Sequence, residues 1–86
     1  VMEIKFFNAA WCGPCQQMKP HIGKLQKEGY PITEVDVDEQ PTIAESANVR
    51  GVPTIAIYEN GQLVESIVGY NDKDLLQRKI DVYYKK

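Results

Sequence analysis

The chain has 86 residues, 43% of them hydrophobic and 26% charged, with a formal net charge of -2 at pH 7; that length holds one small domain with a single core, and the composition excludes a disordered or fibrous class. Ten basic and twelve acidic residues, scattered along the chain, form no basic stripe that would neutralise phosphates, so nucleic acid is not an expected partner. No apolar run approaches the roughly 20 residues that span a bilayer, and the N-terminus lacks the charged and apolar regions of a secretory signal, so no membrane role is expected and the cytoplasm is the expected compartment.

Residues Glu3 to Phe7 form a short apolar run that predicts a buried strand. From Cys12 to Glu28, Met18, Ile22 and Leu25 recur at spacings of four and three, which predicts a helix with one buried face, ended by Gly29. Pro14 suits its first turn, whereas Pro20 removes an interior donor and predicts a kink between Gln16 and Pro20. Ile32 to Val37 is rich in β-branched residues and predicts a second strand, parallel to the first through a right-handed crossover. Pro41 to Asn48 predicts a short helix with Ile43, Ala44 and Ala47 facing inward. Two apolar runs, Pro53 to Tyr58 and Gln62 to Val68, flank Asn60-Gly61 and predict an antiparallel hairpin. Asn71 is placed to cap a last helix carrying Leu75, Leu76, Ile80 and Tyr83 on one side, with Asp72 and Asp74 in its first turn. The order is β-α-β-α-β-β-α, an α/β fold with a four-stranded mixed sheet and helices on both faces, over one domain spanning residues 1 to 86.

The only two cysteines lie in Trp11-Cys12-Gly13-Pro14-Cys15, where the first strand gives way to the first helix. A disulfide between them closes a ring of a few residues, and stabilisation by loop closure grows with loop length, so thiol-disulfide exchange explains the pair better than stapling does. Zinc wants four ligands, and the chain offers one histidine, His21, and no second cysteine pair, so no metal site is expected. Exchange needs a thiolate, and the unpaired N-H groups and positive dipole end of the helix favour one on Cys12. Cys12 is thus the expected nucleophile and Cys15, one turn further in, the resolving thiol. His21 reads as a surface residue and Met18 as core filling.

The cysteine motif after a strand, Val52-Pro53-Thr54 opening a later strand, Asn60-Gly61 in a hairpin and Val68-Gly69 before the last helix resemble the thioredoxin family over nearly the whole chain. The extra N-terminal strand and helix of full-length members are missing, leaving a glutaredoxin-sized core. The resemblance implies a thioredoxin-like fold and a redox-active Cys12-Cys15 disulfide with no bound cofactor. It implies electrons from NADPH through a flavin enzyme such as thioredoxin reductase, and disulfide-containing proteins such as ribonucleotide reductase or peroxidases as acceptors. A monomer suits such diffusing exchange. By itself an X-Pro bond is cis in only about 5 to 6% of cases; the resemblance implies a cis Pro53 against the cysteines, with Val52 offering its backbone to a substrate strand. Trp11, Gly13, Pro14, Val52, Pro53, Gly69 and Tyr70 would then frame a substrate groove.

Three positions depart from the family. Where thioredoxins commonly bury an acid, six residues before the first cysteine, this chain has Phe6; where an aromatic is usual, it has Asn8; and Glu34 replaces a usual lysine. These changes suggest Glu34 as a substitute proton acceptor for Cys15, with solvent exposure on its strand as the opposing reading. Two other functions stay open. One is a glutaredoxin-like protein coupled to glutathione, with Asn71-Asp72 holding the tripeptide's backbone amine, although the usual Pro-Tyr between the cysteines is absent. The other is a thioredoxin-type binding subunit that needs neither cysteine.

Overall fold

The computed structural model describes residues 1–84. Strand β1 (Met2–Asn8) lies between β2 (Ile32–Asp36), which runs parallel to it, and β3 (Thr54–Glu59), which runs antiparallel; β4 (Gln62–Val68) completes the order β2-β1-β3-β4. The parallel pair requires a long crossover, supplied by helix α1 (Gly13–Lys27). The antiparallel pair needs only Asn60-Gly61, whose φ values of 52° and 83° match a two-residue hairpin turn.

Alternation along the strands divides the core into two layers. Ile4, Phe6, Ile55 and Ile57 face one side, where they pack with Met18, Ile22 and Leu25 of α1 and with Leu76 and Ile80 of α3 (Lys73–Tyr84). Phe7, Val35 and Ala56 face the other side, against Ala44 of α2 (Pro41–Ser46) and Ala47 just beyond it. The buried positions Cys15, Met18, Ile22 and Leu25 trace the α1 stripe expected from the sequence, and this helix runs unbroken through Pro20 to end before Gly29, whose φ of 99° L-residues avoid.

Two expectations are corrected. Helix α2 stops at Ser46, two residues early, because Asn48 turns into the left-handed region at φ 57°. Asn71 does not cap α3: the Asp72 carboxylate accepts the Leu75 N–H at 2.9 Å, while Asn71 is buried, donates to the Gly69 carbonyl and accepts from Lys79 Nζ at 3.0 Å. Of the residues expected inside on this helix, Leu76 and Ile80 are wholly buried and Tyr83 packs against the core, whereas Leu75 is 43% exposed.

Tyrosine hydroxyls tie the helices down at the far end from the cysteines. Tyr30 donates to Asp81 at 2.6 Å and Tyr83 to Glu65 at 2.6 Å. Burial, then the Asp81 carboxylate, pushes the Tyr30 phenol above its ordinary range; burial does the same for Tyr58, and the bond to Glu65 does so for Tyr83. The folded chain therefore holds these protons more tightly than the unfolded one. Their contribution to stability is complete below about pH 10, the ordinary tyrosine value, and is lost as pH rises through the raised folded values. Urea midpoints should accordingly hold level from pH 7 to 9 and drop between pH 10 and 12, with a shallower drop in a Tyr30→Phe variant.

Candidate active site

The C-terminal end of β1 delivers the chain to a turn in which the Cys12 N–H bonds the Ala9 carbonyl at 3.1 Å. Cys12 then occupies the cap position of α1 in extended conformation, and its Sγ accepts the Cys15 N–H at 3.2 Å. Pro14 sits in the first turn, where its missing N–H has no helical partner to lose. Cys12 and Cys15 are joined in a disulfide with their Cα atoms 5.2 Å apart. The two sulfurs are not equivalent: Cys12 keeps 5% of its surface open, whereas Cys15 has none and is enclosed by the apolar layer of Phe6, Met18 and Ile55. An incoming sulfur can meet only Cys12. After reduction, the helix terminus and the Cys15 N–H stabilise negative charge on that same atom.

Trp11, Gly13 and Pro14, which flank Cys12, are exposed. Trp11 is 70% exposed, yet its indole Nε1 donates to Asp38 Oδ2 at 2.8 Å. Asp38 is held in turn by Asp36, whose Oδ1 accepts the N–H groups of Asp38 and Glu39 at 2.8 and 3.2 Å. Sequence reasoning missed Asp38; the only signal was an Asp-x-Asp pair closing a strand, typical of a turn in which the first side chain caps the backbone. Trp11, Val37, Val49 and Val52 border a recess of about 150 Å³ between the residue preceding Cys12 and the residue preceding Pro53. The Val52–Pro53 peptide bond is cis, Thr54 Oγ1 anchors the Gly51 carbonyl at 2.6 Å, and the Pro53 carbonyl accepts the Gly69 N–H at 2.9 Å. Gly69 adopts φ 97°, which explains the glycine there without any steric crowding, since a Cβ would meet no atom within 4 Å. Val68 and Tyr70 on either side of it are exposed.

A helix-capped Cys-Gly-Pro-Cys disulfide and a cis-proline loop thus stand at the same end of a four-stranded mixed sheet, and the sequence model of the family described as Thioredoxin matches residues 2–82. The chain belongs to the thioredoxin family. It is 39% identical over 80 residues to the thioredoxin of Listeria monocytogenes, covering 90% of this chain and 78% of that one. It is 44% identical over 68 residues to mitochondrial thioredoxin-3 of Saccharomyces cerevisiae, covering 76% of this chain and 53% of the yeast protein. A solved structure of a mutant thioredoxin from Halobacterium salinarum NRC-1 superimposes with a TM-score of 0.89 at 37% identity, over 95% of this chain and 74% of that one. The oxidised form of yeast mitochondrial thioredoxin 3 gives 0.85 at 36% identity, over 94% and 77%. Like other thioredoxins, the chain is a thiol-disulfide oxidoreductase whose working group is the Cys12-Cys15 pair.

The departures from the family pattern resolve differently from one another. Phe6 is wholly buried where an acid is usual, and no Asp or Glu is buried among the described residues. Asn8 is buried too, its amide donating to the Phe6 and Val35 carbonyls at 3.3 Å each. Glu34 lies in register with Phe6 on the same sheet face, but β2 is an edge strand. Its side chain is 46% exposed and faces Lys19 Nζ at 3.9 Å, in a polar recess that Cys15 does not line. The suggested proton-acceptor role for Glu34 is therefore not supported, because the carboxylate faces water and a lysine instead of the buried sulfur. Glu34→Gln should leave the rate at which mixed disulfides resolve within about twofold of the parent, as expected of a surface substitution; stopped-flow release of a target thiol reads this directly. His21, read as a plain surface residue, is in fact engaged by both ring nitrogens.

Proposed function

We propose that this thioredoxin reduces protein disulfides in the cytoplasm as a monomer. In this reading it draws electrons from NADPH through a flavin-dependent thioredoxin reductase and passes them to targets such as ribonucleotide reductase or peroxidases. One observation carries the reading: Cys12, the less buried of the two cysteines, follows the exposed Trp11 at the sheet end that also carries the Val52–Pro53 loop, to which the Gly69-Tyr70 turn is bonded, an arrangement suited to an extended peptide. Val52, ahead of Pro53, would pair with the peptide backbone as an added strand does. Gly13 and Pro14, both exposed beside Cys12, would form the rim against which the target slides.

The exchange then proceeds in two balanced steps. The Cys12 thiolate attacks one sulfur of the target disulfide; an S–S bond to Cys12 forms, the target S–S bond breaks, and the other target sulfur leaves as a thiolate. The Cys15 sulfur next attacks Cys12 Sγ, forming the intramolecular disulfide and releasing the second target sulfur. The proton lost by Cys15 is matched by one taken up on a departing thiolate, so no buried carboxylate is required for overall balance. Two electrons pass from the dithiol to the target.

The glutathione-coupled reading is weaker, since Asn71 and Asp72, which would have to hold the tripeptide's amine, are occupied by Gly69, Lys79 and the α3 cap. The test is the reduction potential of the pair in defined thiol-disulfide buffers, read by Trp11 fluorescence. A value near the reference potential of thioredoxins in general, about -270 mV, with turnover on thioredoxin reductase and NADPH, is expected; a value of about -200 to -230 mV with turnover on glutathione and its reductase would replace this reading with the glutaredoxin-like one.

A further inference from the structure

We infer that His21 is a positioning residue for disulfide exchange: it holds Tyr70, and with it one wall of the substrate groove, against the helix that carries both cysteines. The inference rests on the proposed reading of that groove as the peptide-binding surface. His21 lies six residues beyond Cys15 on α1, about 9 Å further along the helix axis, and its ring reaches across to the segment between β4 and α3. Nδ1 accepts the backbone N–H of Lys73 at 3.1 Å. A ring nitrogen that accepts carries no proton, so in the neutral ring the proton sits on Nε2, which lies 3.1 Å from the Tyr70 hydroxyl and donates to it. The two rings meet edge to face, with centroids 6.1 Å apart and planes at 78°.

One ring therefore fixes two points, Tyr70 in the connection between β4 and α3 and Lys73 at the first position of α3. The Lys73 N–H is a donor that the start of α3 leaves without a helical partner, so His21 completes that end alongside Asp72, which serves Leu75. The Tyr70 tie is different in kind. Tyr70 is 47% exposed and needs no partner for its hydroxyl, since water would serve. The bond and the ring contact restrict the rotamers open to Tyr70 while nearly half of its surface stays exposed. The same segment is held on the opposite side by the Gly69 N–H on the Pro53 carbonyl, so a continuous run of bonds joins the cysteine helix, the Tyr70 wall and the proline loop. A target peptide that meets a fixed Tyr70 need not immobilise it. Without the tie, ordering that side chain would weaken binding about 2- to 10-fold, leaving the exchange chemistry at Cys12 as it is.

Two substitutions separate positioning from simple support of α3. In His21→Asn the amide oxygen stands near the place of Nδ1 and keeps an acceptor for Lys73, but the side chain is too short to reach Tyr70. In His21→Gln the amide extends to about the place of Nε2 and can donate to Tyr70. Insulin reduction is followed with dithiothreitol as electron donor, and urea midpoints are taken for each protein. His21→Asn is expected to raise KM for insulin about 2- to 10-fold with kcat within twofold, and His21→Gln to restore KM to within twofold of the parent. Tyr70→Phe should raise KM like His21→Asn, and the double variant should be no worse than either, because both remove one bond; this pairing also keeps the test alive if an Asn at 21 impairs folding. An unchanged KM in His21→Asn or Tyr70→Phe, equal losses in the Asn and Gln variants, or additive losses in the double variant would each overturn the inference. If the parent itself reduces insulin no faster than dithiothreitol alone, the groove reading falls and this inference falls with it.

Discussion

A Cys15→Ser variant is expected to accumulate a stable mixed disulfide with its target through Cys12, and to lose turnover by about a thousandfold or more, the scale on which removal of a covalent-catalysis residue acts. The reason is the asymmetry of the two sulfurs. Cys12 retains an opening to solvent and accepts a backbone N–H at the helix terminus, whereas Cys15 is sealed beneath it in apolar surroundings. The first attack survives the substitution, and the second, which needs a sulfur one turn further into the helix, does not. Cys12→Ser should lose turnover equally and form no adduct at all, because Cys15 cannot meet a target. Intact-mass spectrometry after incubation with a disulfide-bonded peptide distinguishes the cases. An adduct on Cys15 in the Cys12→Ser protein would reverse the assignment, and turnover by either single variant would point to a monothiol route.

Phe6→Ala is expected to destabilise the fold by about 3 to 5 kcal/mol, as large-to-small aromatic substitutions in full cores do. Phe6 is wholly buried at the centre of the sheet, on the face shared by Cys15, Met18 and Ile55. Small domains hold only about 5 to 15 kcal/mol in all, so much of the folded population is at stake. Phe6→Asp, which restores the acid that thioredoxins commonly carry there, should be at least as damaging at neutral pH. Among the described residues no cation is buried to receive the carboxylate, and an unpaired buried charge is worse than a void. Urea midpoints for both variants give the answer. A Phe6→Asp protein as stable as the parent would mean that water reaches this position and that the apolar replacement is incidental to the fold.

Nearly all the secondary structure was readable from local pattern. The 4-3 spacing of Met18, Ile22 and Leu25, the β-branched run from Ile32 and the Asn60-Gly61 turn each carry their own physical signal, independent of the rest of the chain. The misreadings lie at helix ends, in α2 beyond Ser46 and at the start of α3, where adjacent residues compete to bond the same few backbone groups. Asn71 and Asp72 are both competent caps; in the folded chain the Asn71 side chain bonds Gly69 and Lys79, two turns away, and Asp72 takes the Leu75 N–H.

What the sequence determined by itself is the chemistry: two thiols at the start of a helix, with glycine and proline between them and no second cysteine pair in the chain, point to exchange, because the helix terminus that activates Cys12 is local. What only the tertiary structure decided is which groups distant in the chain share that site. Glu34 faces the correct side of the sheet yet stands on its edge strand, half exposed and facing Lys19, a position set by sheet order and not by strand pattern. Asp38 is linked to Trp11 across 27 residues, and His21 to Tyr70 across 49. Such pairings depend on how helices are laid against a folded sheet, and no periodicity or spacing along the chain encodes the distance between them.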